Sequence, residues 1–153
     1  MTAGNASMIS GQAAAVIVAL VQCSVRGRHP AAGTSAGIRD GWRPPTDLFI
    51  APAAAVTKVV RKAGLSLADI DLFEINEAFA VQMLACLRRL ELPLEKVNVS
   101  GGAIALGHPL GASGARILVT LLHALERRNG RYGVAALCLG GGNAIATVVE
   151  RQQ

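Results

Sequence analysis

Three short stretches of the sequence carry side chains that could do chemistry. Asn76 follows a short apolar run, His108 lies in a glycine-rich segment, and Cys138 stands two residues before Gly140–Gly142. An imidazole changes its charge near neutral pH, so it can act as an acid or a base. Backbone N–H groups of glycines beside a thiol can bind an oxyanion. These stretches are therefore candidates for a site that moves protons and stabilises negative charge.

Each of the three residues also has a simpler structural interpretation. An asparagine before a helix most often caps it, a histidine in a turn can bond to nearby backbone, and a cysteine ending an apolar strand is usually a small core residue. The glycines after Cys138 and around His108 favour the functional interpretation. Gly107–Gly114 is not GxGxxG and has no P-loop lysine, which disfavours nucleotide binding. No chemistry is assigned to Cys23, Cys86, His29 and His123.

The hydrophobic pattern predicts the strands that position these residues. The continuous apolar run Ala13–Val21 fits a strand buried on both faces, with a helix as the alternative. The last two predicted strands flank Gly140–Asn143 and should form a hairpin. The predicted strands are Ala13–Val21, Asp71–Ile75, Val97–Val99, Tyr132–Leu139 and Ile145–Glu150.

Capping signals predict three helices between these strands. Proline at the start and glycine at the end mark the first of them. Residues 22–50 are rich in proline and glycine and have no clear period, so we expect a loop or excursion there. The predicted helices are Pro52–Ala63, stopped by Gly64; roughly Glu77–Leu90, capped by Asn76; and a long helix after Gly114, with Gly130 as its C′ residue.

The alternation of strands and helices predicts a layered α/β domain with a mixed sheet and helices on both faces. In such sheets ligands bind beyond the carboxyl ends of the strands. Asn76, His108 and Gly140–Gly142 all fall at such positions. We therefore expect three loops to converge on one edge of the sheet.

Composition excludes several classes of protein. The sequence has 153 residues, of which 52% are hydrophobic and 16% charged, whereas an ordinary domain has about 25% charged residues. This balance excludes disorder, and the longest apolar stretches are about half the ~20 residues that a membrane span needs. Met1–Ser7 lacks the basic region of a signal peptide. The three cysteines form no CxxC pair, which fits a reducing compartment, so a cytoplasmic location is expected.

The net charge of +5 does not indicate a nucleic-acid partner. The basic residues are scattered and mostly lie near predicted helix ends, where cations complement the helix dipole. Aromatic residues make up 3% of the chain and are too dispersed to form a base-stacking platform. We expect neither a nucleic acid nor a membrane as partner.

Three segments together resemble the C-terminal motifs of the thiolases, the acetyl-CoA acetyltransferase family. They are Asn76–Ala80 (NEAFA), Val97–Arg116 (NVSGGAIALGHPLGASGA between the two named residues) and Cys138–Gly142 (CLGGG). The opening segment Thr2–Ser7 is similar to the stretch that leads into the family's C-terminal half. The resemblance implies the fold of a thiolase C-terminal core domain over residues 1–153.

The resemblance also implies roles for single residues in acyl transfer between acyl-CoA and CoA. His108 matches the histidine that activates the nucleophile and contributes to an oxyanion hole, and Asn76 matches the residue that holds a water there. Cys138 matches the second catalytic cysteine, an acid and base that needs a lowered pKa. The N–H of Gly140 matches a second oxyanion hole, and Ser7 a contact to the pantetheine of CoA. CoA and acyl-CoA are implied as substrates, with no metal.

The nucleophilic cysteine of the resembled family belongs to its N-terminal half, to which nothing in this sequence corresponds. We therefore expect the chain to be inactive alone, and to need such a half as partner or to self-associate. A non-catalytic structural or CoA-binding module with the same fold is the alternative. It gains some support from two departures from the family pattern: Ser10–Gln12 replaces the family's Asn-Asp-Gly, and residues 22–50 lack the family pattern. A ketoacyl synthase is the third candidate, and the NEAFA segment speaks against it.

Overall fold

The computed structural model describes residues 1–18, 34–42 and 49–152, the second range by its backbone alone. In these residues four strands form one mixed sheet in the order β1-β4-β3-β2. β2 and β3 run parallel, whereas β3 with β4 and β1 with β4 are antiparallel. The strands are β1 (Thr34–Trp42), β2 (Leu72–Ile75), β3 (Tyr132–Leu139) and β4 (Asn143–Glu150).

Four α-helices of the described chain accompany the sheet: α1 (Ala51–Lys62), α2 (Ala80–Leu90), α3 (Ala103–Leu106) and α4 (Ser113–Arg127). α1 has Pro52 in its first turn and ends before Gly64, whose φ of 74° is the left-handed conformation expected there. The C-terminal end of α4 lies one residue earlier than predicted, because the prediction placed Gly130 at the C′ position. Asn129, with φ 54°, takes the C′ position, and Gly130 donates its N–H back to the Leu125 carbonyl.

The two faces of the sheet are covered by different helices, as the sequence predicts. Alternate residues of β3 point to opposite sides, so Val134 packs with α1 and α2 whereas Ala135 packs with α4. Both clusters are almost fully buried. The α1–α2 side includes Val56, Val59, Phe73, Ile75, Val134 and Val148, and the α4 side includes Leu72, Ile117, Leu121, Leu125 and Val149.

The predicted strand Ala13–Val21 is wrong over the residues that the structure describes. Residues 13–18 form neither strand nor helix, and Ile17 and Val18 are 96% and 89% exposed. An apolar run makes a strand only where a neighbouring backbone offers hydrogen-bond partners, and the sheet provides none to these residues. The rest of the run lies outside the described residues.

The expectation of a loop over 22–50 is also wrong in part. β1 lies in this range and pairs with β4 from Thr34 opposite Glu150 to Trp42 opposite Asn143, with an irregularity between Ser35 and Gly37. Its glycines and charged residues hid the strand, because they break the alternation on which strand prediction depends. Residues 22–33 and 43–48 lie outside the described residues.

Two predictions next to the candidate site need correction. The segment Val97–Val99 forms a single bridge to Phe73 and no strand, because Asn98 turns the chain with φ 46°. Asn76 caps no helix. Its N–H bonds to the Ala136 carbonyl at 2.9 Å and so continues the pairing of β2 with β3, and α2 begins only at Ala80, where the amide oxygen of Gln82 accepts the Ala78 N–H.

Candidate active site

Asn76 and His108 come into contact beyond the carboxyl end of β2. Nδ2 of Asn76 lies 3.4 Å from Nε2 of His108, although 32 residues separate them along the chain. Asn76 is 1% exposed, whereas His108 is half-buried. The structure thus brings together two of the residues that the sequence singled out, at the edge where ligands of such sheets bind.

The His108 ring is held from its other nitrogen by Ser113. Nδ1 lies 2.6 Å from Oγ of Ser113, and Ser113 is the fully buried first residue of α4. The backbone N–H of His108 donates to the Met8 carbonyl at 2.8 Å. Burial and, to a lesser degree, the nearby positive charge of Arg116 lower the pKa of His108, so its imidazole is neutral at pH 7 and able to accept a proton.

Glu77 joins the NEAFA segment to the loop that carries His108. Its carboxylate accepts hydrogen bonds from Nδ2 of Asn98 at 2.8 Å and from the N–H of Ile104 at 3.2 Å. The same Asn98 amide bonds both the N–H and the carbonyl of Ile75. Gly102 lies against the Glu77 carboxylate so closely that a Cβ there would overlap it. These contacts therefore fix the distance between the NEAFA segment and the glycine-rich segment that carries His108.

The segment 7–12 crosses both of these loops. Ser7 donates its backbone N–H and its hydroxyl to the Ala78 carbonyl, each at 3.1 Å. Nε2 of Gln12 donates to the Leu106 carbonyl at 2.7 Å, and Ser10 packs against Gly107, whose φ is 93°. Ser7 thus lies beside the loop after Asn76. Gln12, one of the departures from the family pattern, contributes a bond that holds the His108 loop.

Cys138 and Gly140 lie at the same edge of the sheet. In the parallel pair of β2 and β3, Ile75 faces Ala136, so Cys138 continues β3 beside the position that Asn76 takes after β2. Gly140–Gly142 form a tight turn in which Gly141 and Gly142 have φ values of 77° and 84°. Among the described residues, no hydrogen bond joins Cys138 to Asn76 or His108.

The thiol of Cys138 does not have the lowered pKa that the family role led us to expect. Burial raises its pKa, and a backbone hydrogen bond only partly opposes this effect. The thiol therefore keeps its proton at neutral pH. Cys86 is fully buried on α2, and burial raises its pKa as well, which makes it a poor nucleophile. Cys23 lies outside the described residues.

A buried ion pair lies next to the site. Nη1 of Arg116 bonds Oε1 of Glu74 at 3.0 Å, and Glu74 is 2% exposed. Desolvation raises the pKa of Glu74 to about 7 against the lowering effect of Arg116. Nε and Nη2 of Arg116 have no hydrogen-bond partner among the described residues, so the guanidinium is only partly satisfied.

Sequence reasoning missed Ser113, Glu77, Asn98 and the Glu74–Arg116 pair. All of them act by holding another residue, and such roles depend on contacts that close over tens of residues. One signal was present for Ser113, because it follows His108 by five residues within the same glycine-rich segment.

The layered α/β fold with histidine and asparagine at the sheet edge matches a known family. Residues 30–151 match the family described as thiolase, C-terminal domain, and the chain belongs to that family. The chain is 50% identical over 151 residues to acetyl-CoA acetyltransferase of Escherichia coli, covering 99% of the chain and 38% of that relative. It is 46% identical over 150 residues to the human mitochondrial 3-ketoacyl-CoA thiolase, covering 98% and 38%.

Solved structures agree with this assignment. The crystal structure of human mitochondrial 3-ketoacyl-CoA thiolase in complex with CoA matches with a TM-score of 0.89 and 40% identity, over 99% of this chain and 39% of that one. Bacillus anthracis acetyl-CoA acetyltransferase matches with a TM-score of 0.83 and 42% identity, over 86% and 34%. The chain thus spans less than two fifths of the length of these relatives. In the part of the chain that is described, no helix has the length and apolar character to cross a bilayer.

Proposed function

We propose that this chain supplies the C-terminal part of a thiolase active site, which moves an acyl group between acyl-CoA and CoA by Claisen condensation or by thiolysis of 3-ketoacyl-CoA. In this proposal residues 1–153 form one thiolase C-terminal domain. The observation that carries the proposal is the contact of Asn76 with a neutral His108 at the edge of the sheet. A base beside a buried amide donor suits a reaction that passes through thioester oxyanions.

The proposed roles follow from position and chemistry. His108 takes the proton of the nucleophile and contributes to an oxyanion hole, in which Asn76 holds a water. The protonated thiol of Cys138 acts as acid and its thiolate as base toward the α-carbon of the second substrate. The N–H of Gly140 stabilises the oxyanion beside it, and Ser7 contacts the pantetheine of CoA, which enters as substrate. No metal takes part.

The nucleophile of this proposal comes from a thiolase N-terminal half, outside the region that the sequence covers. Cys86 is buried with a raised pKa, and Cys138 cannot carry the acyl group while also taking a proton from the second substrate. The likeness to a relative of which the chain covers 38% supports this division. The partner is therefore a thiolase N-terminal half, with self-association of the chain as the other expected contact.

A chimera tests the proposal. The matched C-terminal region of the Escherichia coli acetyl-CoA acetyltransferase is replaced by this chain, and thiolysis of acetoacetyl-CoA by CoA is measured. We expect turnover that His108→Ala and Cys138→Ala each reduce by about 10²–10⁴-fold, the usual contribution of a general acid or base. His123→Ala, on an exposed part of α4, is the matched control and should keep full activity. Unchanged turnover in both site variants would refute the assigned roles.

The alternative function is a non-catalytic CoA-binding module that retains the fold. The raised pKa of Cys138 favours this alternative, because a thiolate at that position is then scarce. A chimera that binds CoA in isothermal titration calorimetry but neither acylates a cysteine nor turns over would establish it.

The compartment we propose is the cytosol. The sequence has three cysteines without a CxxC pair, and a relative from Rattus norvegicus with 51% identity is named cytosolic. Fluorescent tagging of the native protein, followed by fractionation, tests this location.

A further inference from the structure

The hydrogen bonds of Ser113 determine which ring nitrogen of His108 carries the proton. Oγ of Ser113 lies 2.6 Å from Nδ1 of His108 and 2.9 Å from the carbonyl oxygen of Pro109. Ser113 is fully buried, so its one hydroxyl proton goes to one of these two neighbours. A carbonyl oxygen can only accept. If the hydroxyl donated to Nδ1 instead, Oγ of Ser113 and the carbonyl oxygen of Pro109 would lie 2.9 Å apart with no proton between them.

We propose that Ser113 is a positioning residue that holds His108 in the Nδ1–H tautomer and so leaves the lone pair on Nε2 toward the reacting groups. The Ser113 hydroxyl donates to the Pro109 carbonyl, and its oxygen accepts the Nδ1–H of His108. The inference concerns the tautomer of the His108 ring in this chain. The importance of that tautomer for catalysis rests on the proposed function.

The other side of the ring fits the same tautomer. Nδ2 of Asn76 is a donor and lies 3.4 Å from Nε2 of His108, so Nε2 meets it with a lone pair. The opposite tautomer would place Nε2–H against that amide N–H unless the side chain turned over. Oδ1 of Asn76 has no hydrogen-bond partner among the described residues, so the Asn76 amide is not fixed in one orientation. The Ser113 hydroxyl therefore sets the direction of the hydrogen bonds that run from Pro109 through Ser113 and His108 to Asn76.

Backbone contacts keep Ser113 and His108 in this arrangement. The Pro109 carbonyl accepts the N–H groups of Ala112 and Ser113, both at 2.8 Å, so the turn between histidine and helix is fixed without the hydroxyl. The Met8 carbonyl holds the His108 N–H from the opposite side at 2.8 Å. Because burial lowers the pKa of His108, the ring is neutral at pH 7. A neutral imidazole carries one N–H, so its tautomer determines which nitrogen can accept a proton.

Nitrogen NMR of the unmodified chain tests the inference. The chain is labelled with ¹⁵N-histidine, and the two ring nitrogens are correlated with the ring protons at a pH where His108 is neutral. His108→Gln identifies its signals among those of three histidines. We expect the proton on Nδ1, the reverse of the preference of free histidine in water. A His108 ring protonated on Nε2 would overturn the inference, whatever the chimera does in an activity assay.

Substitution of the serine tests the cause. Ser113→Ala should shift His108 toward the Nε2–H tautomer, and Ser113→Thr, which keeps a hydroxyl, should restore Nδ1–H. Ser100→Ala, at an exposed position, is the control and should change nothing. An unaltered tautomer in Ser113→Ala would overturn the role of the serine. If that variant does not fold, the spectrum of the unmodified chain still decides.

In the chimera, loss of the serine should lower kcat and leave KM nearly unchanged, because the tautomer matters for proton transfer and not for binding CoA. We expect a decrease in kcat of about 10²–10⁴-fold, the range for a lost general base, with partial recovery in Ser113→Thr. A rise in KM at constant kcat would show that Ser113 serves substrate binding, and would overturn its role as a positioning residue of the base. An inactive parent chimera bears on the proposed function and leaves the NMR result standing.

Discussion

The Glu74 carboxyl is buried beside Arg116, and the cost of removing it from water outweighs the attraction of the guanidinium. The pKa of Glu74 is raised to about 7 from 4.5, so the folded chain binds the proton more tightly than the unfolded chain does. Stability from this group is complete below pH 4.5 and is lost as the pH rises through 7. The ion pair is thus weaker evidence for stability than its geometry suggests.

The substitution Glu74→Gln tests whether the contribution of Glu74 to stability falls with rising pH. The unfolding free energy of the parent chain minus that of the variant should fall as the pH rises from about 4.5 to 7, because the variant has no group to ionise there. The difference removes the contribution of His108, whose lowered pKa acts in the opposite direction in both proteins. Urea titrations at several pH values measure it. A difference that grows with pH would show that the Arg116 attraction dominates.

Among single residues, the sequence could indicate the groups that do chemistry but not those that hold them. Asn76 and His108 stand out because their neighbours form motifs. Glu77 gives no comparable signal, since its two partners come from Asn98 and Ile104, more than 20 residues away. The raised pKa of Cys138 was also invisible, because burial is a property of the folded chain.

The elements were predictable where a local signal and a tertiary partner agree. α1, α4 and the β3–β4 hairpin have capping residues or clear apolar patterns, and their prediction is confirmed. β1 was missed because a strand of glycines and charges is held by pairing with β4 and not by its own pattern. The start of α2 shifted to Ala80 because the chain after Asn76 extends the sheet pairing first.

The connection between α3 and the NEAFA segment offers a matched pair of variants. Gly102→Ala would place a methyl group into the Glu77 carboxylate, so we expect a destabilisation of about 1–3 kcal/mol, typical of overpacking, and a reduced kcat in the chimera. Gly111→Ala meets no atom within 4 Å and should leave both quantities nearly unchanged. Thermal unfolding and kinetics measure the effects. Equal stability of the two variants would contradict the close packing of Glu77.

At the scale of the whole molecule, the surface of the described chain is unusually apolar. Val81 and Leu84 on α2 are 56% and 55% exposed, and Ile9, Ile17 and Leu110 are 96%, 96% and 79% exposed. A chain with 16% charged residues has little polar surface to keep such groups apart. The relatives of which it covers 38% are much longer than this chain.

We therefore expect the isolated 153-residue chain to self-associate at micromolar concentration. Sedimentation velocity over a range of concentrations measures this, and Leu84→Lys should weaken the association, whereas Glu126→Lys at an exposed polar site should not. A concentration-independent monomer would contradict the expectation. In the chimera the same apolar surfaces should be covered, so its association state should not respond to Leu84→Lys.

The crossing of the two loops by segment 7–12 sets an order of events during synthesis. Gln12 leaves the ribosome 94 residues before Leu106, the residue whose carbonyl it binds, and Ser7 precedes its partner Ala78 by 71. The hydrogen bonds of segment 7–12 are therefore complete only after the His108 loop has emerged. A chaperone that binds short apolar segments of nascent chains has its opportunity in that interval, and the contacts around His108 form only after its loop has left the ribosome.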